Sequence, residues 1–146
     1  MGLMLMELLL MVGACKAERG VLQGLPASIK SEIGGKTREV APCAVSSIPD
    51  PVRRAIAAAS GERELVMADP GQEWNSSDVG RVGVPTRQLV RAVHSEGTWV
   101  VDFWKGGFAL TYRVVVVRAD GGEARVLWQG RCHGGSAGGK GKLRCD

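Results

Sequence analysis

From Thr86 onward the chain shows four runs rich in Val, Trp, Leu and Thr. The dipeptides Glu96-Gly97, Gly106-Gly107 and Asp120-Gly121 separate these runs. Glycine-containing dipeptides between alternating apolar segments are hairpin turn signals. The pattern therefore predicts an antiparallel meander of four strands joined by two-residue turns.

Two-residue turns would fix which residues face each other across this meander. The predicted opposed pairs are Val90 and Phe103, Ala92 and Val101, Phe103 and Leu110, Val101 and Tyr112, Trp99 and Val114, and Val114 and Leu127. In this register one face of the sheet is apolar on all four strands, which is what a face covered by a helix requires.

An amphipathic helix is predicted in the segment SSIPDPVRRAIAAASGE, residues 46–62. Its apolar stripe at positions i, i+3, i+4 and i+7 consists of Val52, Ala55, Ile56 and Ala59. Asp50 suits the N-cap, Pro51 the first turn and Gly61 the residue after the helix end. This helix is expected to cover the apolar face of the meander.

One helix packed on a four-stranded antiparallel meander is an α+β fold, and its outline resembles the cystatin-like folds. That resemblance implies no particular function, because these folds host inhibitors, binding modules and enzymes alike. The predicted organisation is a signal or lipobox-like segment at 1–15, a linker at 16–46 with a short strand around 38–45, the α+β domain at 47–131, and a Gly-rich basic tail at 132–146.

The opposite face of the predicted sheet carries the candidate binding residues. Arg91 lies opposite Asp102 in this register, with Arg113 diagonal to Asp102, so two cations flank one carboxylate. Trp104 and Trp128 share the face, which is more apolar than an open sheet face normally is. Either a second layer covers it, such as residues 20–45, a loop or another subunit, or it binds a ligand or partner. The structural alternative is a cross-strand salt bridge within packed side chains.

The first 15 residues, MGLMLMELLLMVGAC, form an apolar run too short for a permanent bilayer span. The run indicates an export signal, with a buried N-terminal helix as the alternative. Val-Gly-Ala-Cys at 12–15 resembles the lipobox of bacterial lipoproteins, which implies cleavage before Cys15, lipidation of Cys15 and membrane anchoring. The predicted location is outside the cytoplasm: periplasmic or outer-membrane-anchored if the host is bacterial.

The chain has four cysteines, which would pair in an oxidising compartment. With Cys15 processed, Cys43, Cys132 and Cys145 remain. We expect a bridge between Cys132 and Cys145, because it closes a short Gly-rich loop and contributes about 3 kcal/mol in the loop-closure description. A bridge from Cys43 to Cys132 is the main competitor.

The composition and the short motifs of the chain bear on whether it binds a nucleotide, a metal or another cofactor. The 146 residues suit one domain, and the net charge of +4 is compatible with anionic partners. The tail segment GGSAGGKG falls one residue short of a phosphate-binding loop, because Gly141 stands where Ser or Thr is required. Cys132 and His133 are adjacent and lack the spacing of zinc ligands. We therefore predict neither metal nor cofactor.

The function predicted from the sequence is non-enzymatic binding of an unknown protein or anionic ligand through the open sheet face. An enzyme with Asp102 or His94 as base is the weaker alternative, because His94 faces Trp99, away from Asp102. Nucleic-acid binding by the basic tail is not favoured, since no aromatic residue follows Trp128 to interleave with its cations. The sequence leaves the oligomeric state open.

Overall fold

The computed structural model describes Cys15, residues 21–133 and residues 144–146. Residues 1–14 of the predicted signal segment 1–15, and the tail segment GGSAGGKG at 134–141, lie outside the described residues. The described helices are α1 (Val21–Gly24), α2 (Ala27–Ile33) and α3 (Asp50–Ala59), with a 3₁₀ turn at Val45–Ser47. The strands are β1 (Arg38–Glu39), β2 (Arg87–Ser95), β3 (Thr98–Lys105), β4 (Thr111–Asp120), β5 (Glu123–His133) and β6 (Arg144–Cys145).

All six strands belong to one antiparallel sheet in the order β1-β2-β3-β4-β5-β6. The predicted α+β class and antiparallel meander are present, but the predicted count of four strands is wrong. The predicted linker supplies an edge strand, since Arg38 pairs with His94, and the predicted tail supplies the other, since Cys132 pairs with Cys145. With these two edge strands and two extra helices, the structure departs from the cystatin-like outline.

Helix α3 forms where the apolar stripe predicts it, and Val52 and Ile56 are fully buried. Its N-cap is Pro49, so Asp50 opens the helix instead of capping it and forms ion pairs with Arg53 and Arg54. Gly61 follows the helix end with a φ of 73°, a conformation that glycine adopts without strain.

The sheet separates two hydrophobic clusters. The first, here called the α3 face, packs α3 against β2 to β5 through Leu89, Ala92, Val101, Phe103, Val115 and Val117. The second, the α2 face, packs α1 and α2 against the other side through Val93, Val100, Tyr112, Val114 and Val116. The second cluster includes buried Val21 of α1, Ile33 of α2 and Leu25 between the two helices. Residues 21–33 thus cover the face that was predicted to be open. This outcome corresponds to the alternative in which a second layer from residues 20–45 covers the sheet.

The turn at Glu96-Gly97 has the predicted length, and Ala92 pairs with Val101. A β-bulge between Leu89 and Arg91 places Leu89, and not Val90, opposite Phe103. A bulge inserts one residue without a partner and so shifts everything beyond it by one position.

The predicted turn at Gly106-Gly107 is wrong. The connection spans five residues, 106–110, and Phe103 pairs with Arg113 instead of Leu110. This offset of three positions is odd, so it moves the β4 side chains to the opposite faces. The cause is tertiary: a Cβ atom at Gly106 would lie 2.3 Å from the Asn75 carbonyl oxygen, so this glycine serves the close approach of another loop.

The last hairpin turns one residue later than predicted. Gly121 and Gly122 both have positive φ values, of 56° and 91°, and they form the two-residue turn between Asp120 and Glu123. With a second bulge near Val116, Val114 pairs with Gly130 instead of Leu127.

Two disulfides join Cys15 to Cys43 and Cys132 to Cys145. The second pairing is the one that we expected from the sequence, and the competing bridge from Cys43 to Cys132 is not formed. A sulfur bonded to Cys43 cannot also carry a thioether-linked lipid, so the predicted lipidation of Cys15 is incompatible with this structure. Two disulfides indicate an oxidising, extracellular-type environment.

Candidate anion-binding site

The predicted pair of Arg91 and Asp102 is present, but it lies inside the protein. Arg91 Nε is 3.3 Å from Asp102 Oδ1, and the two residues are 5% and 0% exposed. The Tyr112 hydroxyl donates a hydrogen bond to the other oxygen, Asp102 Oδ2. The Trp104 ring packs edge-on against Tyr112 with centroids 4.9 Å apart. These groups form a polar core on the α2 face, so they do not form the open binding face that the sequence predicts.

Arg113 is not part of that core. It lies opposite Phe103 on the α3 face, whereas Asp102 lies opposite Val114 on the α2 face. The predicted arrangement of two arginines around Asp102 is therefore wrong, and the cause is the five-residue connection before β4.

The remaining predicted residues also belong to packed regions. Trp128 lies opposite Val116 and is half-buried against the α2-face cluster. Its ring covers Gly130, where an added Cβ would stand 2.5 Å from the indole. His94 stacks on Trp99 with ring centroids 4.7 Å apart and so lies away from Asp102. No catalytic pair of His94 and Asp102 is formed.

A different set of charged residues gathers where the sheet extends past the end of α3. Arg87 is directly opposite Lys105, and Arg113 is directly opposite Arg131. Alternation along the strands places all four on the α3 face, next to Phe103 and Val115. Like charges directly opposite each other on a sheet are destabilising, so this cationic cluster calls for a counter-charge.

One carboxylate supplies part of that counter-charge. Glu62, just after α3, accepts two hydrogen bonds of 2.9 Å from the Arg87 guanidinium, in a bidentate pair. Arg87 is buried, and its Nε finds no hydrogen-bond partner among the described residues. In the same part of the chain, Lys105, Arg113 and Arg131 take part in no ion pair. Among the described residues, these four cations and Glu62 therefore carry a net charge of +3, although Glu62 also favours the charged form of Lys105.

The pKa directions of two of these cations reflect burial first and the neighbouring positive charges second. Burial, followed by the nearby charges of Arg87 and Arg113, lowers the pKa of the Lys105 ammonium group. Burial, followed by the charges of Arg131 and Arg87, lowers the pKa of the Arg113 guanidinium. The charged forms of Lys105 and Arg113 are therefore less favourable here than they are in water. An anion bound beside them would favour the charged forms and raise both pKa values again.

The cations surround a half-open pocket of about 30 Å³. Among its lining residues are Arg87, Lys105, Arg113, Phe103 and Gln129. A single water needs about 10 to 15 Å³ by the same measure, so the pocket has room for a small anionic group but not for a drug-sized molecule. Ammonium, guanidinium and amide N–H groups are all donors, which suits a carboxylate, sulfate or phosphate.

Of these cations, only Arg113 is among the binding residues predicted from the sequence; Arg87, Lys105 and Arg131 are not. The signal was a cation near the end of each of the four central strands. It could be read only with the true register, because the cluster depends on Arg113 and Lys105 sharing a face.

Within the described part of the chain, no group of three or more His, Cys, Asp or Glu side chains is placed to hold a metal ion. None of the described helices has the length and apolar character needed to cross a membrane. Comparison with protein-family models, curated proteins and solved structures finds no match to this chain. The functional inference therefore rests on the geometry of the cationic pocket.

The cluster should weaken the folded state when no anion is bound. We expect Lys105→Met, which keeps the aliphatic stem and removes the charge, to raise the free energy of unfolding by a few tenths of a kcal/mol and at most about 1 kcal/mol. Denaturant unfolding at low ionic strength measures this, with Lys36→Met at an exposed position as the control. A loss of stability in Lys105→Met alone would show that the lysine is compensated.

Proposed function

We propose that this chain is a small exported, non-enzymatic binding protein that holds an anionic group in the pocket between Lys105, Arg113 and Arg87. The observation that carries the proposal is the gathering of three cations around a small pocket, two of which, Lys105 and Arg113, have no ion-pair partner among the described residues. The two disulfides support export, since such bonds persist in oxidising compartments.

We propose that the ligand binds in this pocket and not on the sheet face predicted from the sequence. Arg91, Asp102, Trp104 and Trp128 pack under α1 and α2, whereas Arg113 lines the pocket. The position of Asp102, buried and ion-paired with Arg91, favours a structural role over that of a general base. Of the residues first singled out, Arg113 is the one that we propose for ligand contact.

Inorganic phosphate and citrate are suitable probes for this pocket. At constant ionic strength, we expect either anion to raise the melting temperature of the wild-type chain above its value in chloride. Saturation at 100 times the dissociation constant would correspond to about 2.7 kcal/mol of stabilisation. In Arg113→Gln the anion-dependent shift should be lost, because one of the donors facing the pocket is gone.

The matched control is Arg125→Gln, an exposed arginine of β5 near the opposite end of the sheet. It removes the same charge without touching the pocket, so its anion-dependent shift should equal that of the wild type. Equal responses to phosphate, citrate and chloride in the wild type would contradict anion binding. Equal loss in Arg113→Gln and Arg125→Gln would reduce it to an effect of net charge.

A further inference from the structure

The connection between β3 and β4 carries apolar side chains into solvent. Phe108 is 100% exposed and Leu110 is 53% exposed, although both belong to the most buried residue types. The base of this loop is fixed: the Gly106 N–H donates to the Thr86 carbonyl at 2.9 Å, and Gly106 packs directly on the backbone of Asn75 and Ser76. An anchored loop thus presents a hydrophobic tip.

A second loop, 76–85, lies beside it and has the same character. Buried Asn75 holds its base: the side-chain amide donates to the Val79 carbonyl at 2.6 Å, and the backbone N–H donates to the Pro85 carbonyl at 2.7 Å. Val79 and Val82 in this loop are exposed, Val82 completely. Because Gly106 packs on Asn75 and Ser76, the two loops emerge from the same end of the sheet.

The cationic cluster lies at this end as well. Lys105 directly precedes the loop 106–110, so the Cα atoms of Lys105 and Phe108 are at most about 11 Å apart along the chain. Arg113 follows Leu110 by three residues, and neither Lys105 nor Arg113 has an ion-pair partner in the described part of the structure. Exposed apolar side chains and uncompensated cations therefore occur within one small region.

This combination matches the interface of an anionic bilayer. Lipid phosphates form a negatively charged layer directly above the acyl chains, so a surface with apolar tips and adjacent cations is complementary in both charge and polarity. The pocket of about 30 Å³ suits a single phosphate-sized group better than an extended ligand. Membrane binding also accounts for the exposed valines of the loop 76–85, whereas a ligand confined to the pocket would not contact them.

We infer that the apolar tip, consisting of the loops 106–110 and 76–85, inserts into the surface of an anionic phospholipid membrane while Lys105 and Arg113 bind lipid phosphates. This inference rests on the proposed anion-binding function and names phospholipid headgroups as the ligand class. Phe108 and Leu110 would enter the boundary between headgroups and acyl chains, and the cations would lie at the level of the phosphates.

The test is co-sedimentation of the oxidised chain with vesicles of equal parts phosphatidylglycerol and phosphatidylcholine, compared with pure phosphatidylcholine vesicles. We expect partition into the mixed vesicles only. Phe108→Ser should weaken this partition about tenfold or more, because a buried aromatic side chain is lost. Arg113→Gln should weaken it about fivefold, as expected for one cation at a charged surface.

The controls are Val66→Ser and Arg125→Gln. Val66 is 52% exposed, which matches Leu110, but it lies outside both loops. Both controls should partition like the wild type, and equal melting temperatures of Phe108→Ser and the wild type would exclude unfolding as the cause of a loss.

The outcomes separate this inference from the function on which it rests. If inorganic phosphate still raises the melting temperature through Arg113 but no vesicle binds, the membrane inference is overturned and anion binding stands. Vesicle binding that is indifferent to Phe108→Ser overturns the insertion of the tip. Capture of a protein partner through Phe108 without any vesicle binding also overturns it. Failure with both phosphate and vesicles removes both proposals.

Discussion

Asp102→Asn is expected to lower the free energy of unfolding by about 3 to 5 kcal/mol. Asp102 is fully buried and is paired with Arg91, which is itself 5% exposed. The amide keeps the shape of the side chain and an oxygen that can accept from Tyr112, but it leaves the buried guanidinium uncompensated. That uncompensated charge, and not the loss of a contact, is the source of the destabilisation. Urea denaturation followed by tryptophan fluorescence measures it.

Two variants test this explanation. Asp50→Asn breaks an exposed Asp–Arg pair at the start of α3 and should cost about 1 kcal/mol or less. The double variant Arg91→Met, Asp102→Asn removes both charges and should be more stable than Asp102→Asn alone, since a buried pair is often replaceable as a whole. If the double variant is as unstable as the single one, packing and not charge accounts for the loss.

The best-predicted parts of the fold depend on local sequence. Helix α3 follows from its apolar stripe and from Gly61 at its end, and the first hairpin follows from Glu96-Gly97. The Gly106-Gly107 pair gave the wrong turn because Gly106 is required for contact with the backbone of Asn75, a distant segment in sequence. A glycine that forms a tight turn and a glycine that allows close backbone packing cannot be told apart in a single sequence.

The helices that cover the α2 face were not predicted as helices. Helix α1 has four residues and α2 has seven, which is too short for a helical periodicity to be distinguished from a loop. Isolated helices of this length are unstable in water, so packing of Val21, Leu25 and Ile33 against the sheet stabilises them. The apolar character of the supposedly open face was the one sequence signal for a second layer, which is among the alternatives predicted from the sequence.

The cationic pocket required the register and could not be predicted without it. Arg113 was placed beside Asp102 because a two-residue turn was assumed, and an odd error in loop length moves a side chain to the other face. The five-residue connection places Arg113 opposite Phe103 and so on the same face as Lys105. The bulges in β2–β3 and β4–β5 then set the pairs Arg87 with Lys105 and Arg113 with Arg131. The exposed Phe108 was missed for the same reason, since it was assigned to a strand.

Removing the Cys15–Cys43 disulfide in the variant Cys15→Ala, Cys43→Ala is expected to lower the free energy of unfolding by about 3.5 kcal/mol. The bond closes a loop with a sequence separation of 28 residues, and Cys15 is buried in the cluster beneath α3. This pairing is not among those predicted from the sequence, because the lipobox-like motif assigns Cys15 to lipidation. The effect is measured by denaturant unfolding of the oxidised proteins.

The comparison variant is Cys132→Ala, Cys145→Ala, whose bond spans a shorter separation of 13 residues and should cost about 3 kcal/mol. Addition of a reductant should lower the free energy of unfolding of the wild type by nearly the sum of the two disulfide contributions. The contributions should add because the two bonds lie in separate hydrophobic clusters. The intact mass of the protein from its native host tests the same bond independently: a chain that begins at or near Cys15 should carry two disulfides and no lipid. A lipid on Cys15, or wild-type stability in Cys15→Ala, Cys43→Ala, would contradict the pairing, because a lipidated sulfur cannot bond to Cys43.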